Sequence, residues 1–382
     1  MPNIAKRQLA LALLLVLACG EPAAAIPVFA DRYGFSCQAC HSEVPHLNAF
    51  GEAFLKNGYR VEGLSPRRAL PIALRLEGAY ASAGAADPDD ARNGPLPRTI
   101  VNEIEVLSGG AIGSRGSYWV EQYLLDGGFP GRTRDAWVAY RATPGAARFP
   151  VTVRAGQFTL PLPLDPETFR ETIAPYAIWS RNAGLNPFTF FDPKLGVQAA
   201  AGDAARALAV TASFLQGREP QAFPAHGFDT MFTLERDLGA WSFTAYRYDG
   251  SRELAGLGFG NTTPLSGIGD RFWRNGFGAG WRRGRTEANA LYQSGNDTAA
   301  DVYGDALASS GGFVQVRQAL GERAFAIARW DATQDSVFAR VFTAGLGYGF
   351  APNARLTVFG THQRDFSGRP LTIISSSMLV AY

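Results

Sequence analysis

The chain is poor in the residues that usually carry reactive chemistry. Of its 382 residues, three are cysteine, three methionine and four histidine. Cys19 falls in an N-terminal leader, which leaves Cys37 and Cys40. A single pair cannot supply the four ligands of a structural zinc site. No uninterrupted apolar stretch approaches the ~20 residues that a membrane helix requires. Beyond residue 70 no apolar run keeps a helical period for long. Nor does any motif recur at the roughly 40–50 residues of a propeller blade. Charge of one sign is also lacking: the formal net charge of +2 makes no case for a nucleic-acid partner.

The leader is informative. Lys6 and Arg7 form a basic start, Leu9 to Ala18 an apolar segment too short to span a bilayer, and Ala23-Ala24-Ala25 a small-residue cleavage site. Residues 1–25 therefore read as a secretory signal. Processing at Cys19 as a lipid-modified terminus is the alternative, but Leu17 suits such a site poorly. Either route takes the chain out of the cytoplasm.

Next comes RYGFSCQACHSEVPHLNAFGEAFLKNGYR, residues 32–60. In an exported chain the ordinary reading of C-x-x-C is a disulfide or a redox pair. A redox pair needs a strand opening a helix in a thioredoxin-type fold, and nothing here supplies that context. Cys37-Gln-Ala-Cys40-His41 does supply what covalent haem attachment needs. Two thiols at this spacing reach the two haem vinyl groups, and the adjacent imidazole falls on one face of the iron. The expected cofactor is thus one covalent c-type haem, held by Cys37, Cys40 and His41, with His41 as metal ligand. Leu47, Phe50, Phe54 and Leu55 would form an apolar helical stripe against it, ended by Gly58. For the second axial position His46, Met231, Asn48 or an open site all remain possible, while His226 and His362 fall near loop ends.

From about residue 70 the pattern changes to segments of roughly ten residues with alternating polarity, closed by Gly, Pro, Asn or Asp. Phe228, Thr230, Phe232 and Leu234 share one parity; Asp229, Met231, Thr233, Glu235 and Asp237 share the other. Trp241, Phe243 and Ala245 repeat the apolar side, and Leu356, Val358 and Gly360 oppose Arg355, Thr357 and Thr361. Tight turns read at 113–116, 143–145, 202–203, 237–239, 283–284, 320–322 and 351–353. Other, mostly longer links read near 84–98, 127–132, 159–190, 217–227, 250–270, 296–310, 333–336 and 366–369. This predicts sixteen strands with both ends on one side. Ile374, Met378, Val380 and the terminal Tyr382 form an outward closing strand, and the aromatic content of 12% suits interfacial girdles.

The expected fold is all-β. Residues 70–382 form a sixteen-stranded antiparallel transmembrane barrel in the outer membrane of a Gram-negative bacterium. Residues 26–69 form a short helical monohaem segment. That segment is too small to build a core alone, so lodging in the inner half of the lumen is preferred over hanging below as a cap. The link at 159–190 would fold inward. Asp165, Glu167 and Glu171 in it, with Asp87, Asp89 and Asp90 in the first long link, are oxygen donors suited to hard cations, although such carboxylates are more often solvated loop tips.

Tyr33-Gly34, Cys37, Cys40, His41, Pro45, Leu47-Asn48, Gly51, Phe54 and Gly58-Tyr59 together resemble the N-terminal segment of the outer-membrane fused monohaem cytochrome–porins, a family that includes iron(II)-oxidising proteins. Beyond that segment the barrel pattern and GQFTLPL at 156–162 add to the likeness. The resemblance implies electron transfer across the outer membrane. It implies an external donor, with Fe(II) as one case, and a periplasmic carrier such as a cytochrome c or cupredoxin. It also implies an iron(II):cytochrome c oxidoreductase type of reaction. A passive porin with a structural or sensory haem, and a haem enzyme acting on a small molecule, are the alternatives.

Overall fold

The structure is a computed structural model that describes residues 28–61, 63–65, 72–82, 98–143, 147–164, 171–172, 174–203, 207–216, 227–255, 264–301, 303–334, 340–364 and 370–382. The leader, Cys19, His226, Asp87, Asp89, Asp90, Asp165 and Glu167 lie outside the described residues.

Sixteen antiparallel strands close into a barrel. They are β1 (Ile72–Ala81), β2 (Arg98–Ile112), β3 (Gly116–Asp126), β4 (Thr133–Arg141), β5 (Val151–Phe158), β6 (Lys194–Asp203), β7 (Leu208–Gln216), β8 (Phe228–Leu238), β9 (Trp241–Ala255), β10 (Pro264–Arg283), β11 (Thr286–Asp297), β12 (Leu307–Ala319), β13 (Ala324–Thr333), β14 (Arg340–Ala351), β15 (Ala354–Arg364) and β16 (Pro370–Ala381). Each strand pairs with its neighbours in sequence. β16 returns to β1 with Ser375 opposite Ala81 and Ala381 opposite Arg75. Closure leaves no unpaired edge, as hydrocarbon demands.

Strand geometry sends alternate side chains to opposite faces, and the faces differ as expected. Phe228, Phe232 and Leu234 of β8 are exposed on the outside, whereas Asp229, Met231 and Thr233 are buried in the lumen. Leu356 and Val358 of β15 are exposed, opposite the buried Arg355, Thr357 and Thr361. Seven short connectors gather at one end, but one of them is not tight: β4 stops at Arg141 and β5 starts at Val151. Two further boundaries differ. The link read at 250–270 is mostly strand, since β9 and β10 stay paired through Ser251 opposite Arg271 and Arg252 opposite Asp270. Two of its polar side chains are not solvated: Asp270 is buried, and Arg252 is fully buried against Asp229. Likewise the link at 127–132 contains Phe129–Pro130, which pairs back on Asp126 and Leu125.

The molecule's core lies in the lumen, filled from both ends. At the short-turn end sits the N-terminal plug: α1 (Val28–Tyr33), α2 (Cys37–Cys40), a two-stranded hairpin of His41–Glu43 with His46–Leu47, and α3 (Ala49–Lys56). Phe29 stacks on Tyr59 at 4.5 Å, and Tyr59 stacks on Trp137 of β4 at 6.1 Å. Glu52 pairs with Arg282 of β10 at 2.9 Å. At the other end the 159–193 link turns inward, carrying α4 (Ala177–Ser180). Leu160 and Leu162 are buried, Trp179 is wholly enclosed, and the Tyr176 and Phe188 rings meet Phe313 and Tyr248 at 4.5 Å each.

Candidate functional site

Cys37-Gln-Ala-Cys40 forms one helical turn, α2, so positions i and i+3 bring both sulfurs to the same side. The chain then straightens at His41. Val44-Pro45 folds it back, and the His41 ring bonds the Pro45 carbonyl through Nδ1 at 3.0 Å. A carbonyl can only accept, so Nδ1 carries the proton and Nε2 keeps its lone pair. Burial, against the smaller opposing pull of the Pro45 and His46 backbone, pushes His41 down to about 4, so the imidazole is neutral at physiological pH.

Asn48 clasps this turn to α3. Its Oδ1 accepts from the Gly51 amide at 3.0 Å, capping the helix, and its amide donates to the Gln38 and Ala39 carbonyls at 3.1 Å each. Gly51 lies against the Cys40 carbonyl, where a Cβ would come within 2.2 Å. Gly58, at φ +65°, ends α3 as expected.

Both cysteines are free thiols. Burial raises each, and the neighbouring Cys37 helps lift Cys40 to about 11. Redox-active C-x-x-C cysteines are shifted in the opposite direction.

Cys37, Cys40 and His41 line a cavity of about 810 Å³, within the range that ligand sites span. Its apolar wall includes Leu47, Phe54, Tyr59, Trp119, Trp137 and Leu162. Phe50 does not line it and is exposed, packing edge-on to Phe35 at 5.7 Å. Thr159 to Leu162 of the GQFTLPL stretch do line it. So do Arg60, Arg115, Arg141 and Arg154, cations suited to a ligand's carboxylates. Arg115, Arg141, Gly202, Asp237 and Ala381 place its mouth at the short-turn end.

A large apolar cavity with two thiols and a neutral imidazole at its wall, plus carboxylate-binding arginines, fits a covalently held haem. The expected second axial ligands fare differently. His46 is buried, with Nδ1 at 2.7 Å from the Ser42 hydroxyl and Nε2 at 3.1 Å from Glu287 of β11. Its ring faces away from the cavity, held by the barrel wall. Met231 is packed in the lumen core and does not line the cavity, and Asn48 is spent on the clasp. His362 lies on β15, bonded to Thr372 at 3.0 Å. Among the described residues, no histidine besides His41 and no methionine lines the cavity.

Of the six carboxylates noted in the two long links, Glu171 alone is described, and it is not a solvated tip. It is buried and accepts from Arg317 Nε at 2.9 Å. Arg317 also pairs with Glu43 of the plug hairpin. Burial and the Glu171 carboxyl raise Glu43 to about 7, while Arg317 and His46 oppose the rise. Burial acts upward on Glu171 as well, but His46 and Arg317 prevail and hold it below the usual range. Glu43, Glu287 and Arg317 were not foreseen. The inward parity of the last two marks them as lumen residues, but no local pattern pairs positions 241 or 274 apart.

No family model matches the chain, and no curated protein does. Solved structures do. The outer-membrane channel DcaP of Acinetobacter baumannii matches at 12% identity and TM-score 0.53, over 81% of this chain and 95% of that one. Salmonella typhi OmpF in complex with daunomycin matches at 10% and 0.56, over 81% and 97%. A loop-deleted OmpT of Vibrio cholerae matches at 11% and 0.53, over 81% and 98%. At such identities the likeness is one of fold, and the fold is the porin-type barrel of outer-membrane channels.

Proposed function

We propose that this chain is an outer-membrane electron-transfer protein of the fused monohaem cytochrome–porin type. It would hold one covalent haem c in the inner half of the barrel. The observation that carries this reading is the placement of Cys37, Cys40 and His41 on the wall of one large cavity inside a membrane cylinder. The apolar outer belt fits lipid, and short turns face the periplasm in barrels of this type, so the cavity opens toward periplasmic carriers.

The bound haem would supply a one-electron couple at its iron. Cys37 and Cys40 would anchor it by adding their S–H groups across the vinyl bonds. His41 Nε2 would be the iron ligand, and the Pro45 carbonyl, which fixes the ring through Nδ1, would strengthen it as a donor. Arg60 and Arg141, which now bond the Gly58 and Gly116 carbonyls and Asn57, would turn to the propionates. The aromatic wall and the 159–193 link keep water and solutes from crossing with the electron. A donor outside, with Fe(II) tested first, would feed the haem, and a periplasmic cytochrome c or cupredoxin would drain it.

A passive porin is equally consistent with the fold; the plug and the described part of the 159–193 link, packed into the lumen, are what favour the electron-transfer reading. A haem enzyme stays in play as a second reading, because among the described residues no second histidine or methionine reaches the cavity. The test uses intact outer-membrane vesicles containing the matured protein. A membrane-impermeant donor such as chelated Fe(II) should reduce a covalently bound haem. A haem that responds only to a reductant on the periplasmic side overturns outward-facing electron transfer. Turnover of a peroxide or nitrogen oxide would favour the enzyme.

A further inference from the structure

On the far side of the plug hairpin from the cavity, two elements distant in sequence converge. Glu43 and His46 stand opposite one another in the hairpin, and Glu171 comes in from the lumen link. One donor atom of each lies within 4.8 Å of the others. We propose that Glu43, His46 and Glu171 form a binding site for a divalent first-row transition-metal cation, which pins the plug to the lumen link.

Four features support the assignment. Glu171 is 3% exposed, and among the described residues its Oε2 has no nitrogen or hydroxyl donor; its carboxyl is within hydrogen-bond reach of the Glu43 carboxyl, so either a shared proton or a cation can join the two. The donors are held by outer partners as metal ligands are. Arg317 takes one oxygen of Glu43 and one of Glu171, which holds the two carboxyls within hydrogen-bond reach of each other, where a cation would take the place of a shared proton. Glu287 engages Nε2 of His46, so Nδ1 becomes the donor nitrogen once the Ser42 hydroxyl gives way. Ser42 itself is exposed, which gives a small ion a way in. Finally, the donor set has two carboxylates, one imidazole and no thiolate. That combination suits Mn2+, Fe2+, Co2+ or Zn2+ and disfavours Cu(I), and Ca2+ and Mg2+ prefer all-oxygen cages. The site does not depend on haem: neither Cys37 nor Cys40 belongs to it, and the cavity wall excludes all three ligands.

The competing account is a closed ion-pair network, neutralised by Arg317 and by the nearby buried Arg355, with no cation. Mn2+ separates the two, because its electron paramagnetic resonance counts free ions and reports nitrogen ligands. The full-length protein, stripped with a chelator and titrated with Mn2+, should bind one saturable ion per chain. The bound ion should show modulation from a single imidazole nitrogen. Glu171→Gln should weaken binding more than tenfold, and His46→Gln should abolish the nitrogen signal. Glu287→Gln, which leaves all three ligands, should weaken it about 10–100-fold. Asp249→Asn, at an exposed ion pair on β9, should leave binding unchanged. Heat-modifiable migration on gels shows that each variant has folded. Absence of saturable binding to the unmodified protein, or a bound ion without the imidazole signature, overturns the site, and so does a folded Glu171→Gln that binds as before.

Discussion

A single methyl group has nowhere to go at Gly51. Its nearest neighbours are the Cys40 carbonyl oxygen at 2.2 Å and the Leu47 side chain at 2.9 Å, and the first is backbone. Gly51→Ala would therefore push α3 off the C-x-x-C turn and break the Asn48 clasp, worth about 1 kcal/mol as a helix cap alone. The barrel's own hydrogen bonds are untouched. The expected result is a heat-modifiable barrel that stains weakly or not at all for covalent haem, whereas Ala53→Gly, at an exposed position of α3, matures normally. Wild-type haem yield from Gly51→Ala would show that the clasp does not position the thiols. Cys37, Cys40, His41, Pro45, Asn48 and Gly58 were all legible in the sequence because their partners lie within about ten residues. His46, one of the options left open for the second axial position, is bonded to Glu287 of the barrel wall, a partner 241 residues away that no local pattern announces.

Between residue and molecule stands the lumen link. Besides Arg317 on Glu171 and Arg329 on Thr172, it is pinned by a buried amide: Asn186 donates to Asp270 at 2.7 Å and to Asp297 at 2.9 Å, and accepts from the Phe188 backbone at 2.9 Å. Asn186→Ala strips all three bonds and leaves two buried carboxylates short of a donor. Each orphaned group costs about 1–3 kcal/mol. That is enough to loosen the link without unfolding sixteen strands. Protease added to the long-loop side should then cleave within 159–193 at least tenfold faster than in the unaltered protein, with the barrel core still resistant. Unchanged cleavage would place the latch elsewhere. At this scale, strand number and facing were readable because alternation is local, as in β8. Strand ends at 250–270 were not, because polar residues that read as solvated, such as Arg252, are paired inside the lumen. Periodicity cannot distinguish water from a buried counter-ion.

For the molecule as a whole, the question is whether it passes solutes or only electrons. Two obstructions lie in series: the plug fills the short-turn half, and the 159–193 link fills the other. Sixteen-stranded barrels with an open lumen conduct ions through an aqueous channel. Here each half should be sufficient to close the path. Deleting residues 28–61 removes Phe29, Phe54 and Tyr59 but leaves Trp179, Tyr176 and Phe188 packed on Phe313 and Tyr248. Shortening 165–190 alone leaves Tyr59 against Trp137 and Glu52 on Arg282. In a planar bilayer the unaltered protein and each single deletion should show only small, infrequent openings. The double deletion should show steady conductance of the porin kind. Full conductance from the plug deletion alone would mean that the link is no barrier and that removing the N-terminal plug turns the protein into a pore. Full conductance from the unaltered protein would be graver, because a water-filled path beside the cavity leaves the barrel no role as insulation. On the proposed electron-transfer reading, the series arrangement would explain why one chain joins the two parts: a barrel closed at both halves is of no use to a solute, but an electron needs no aqueous path.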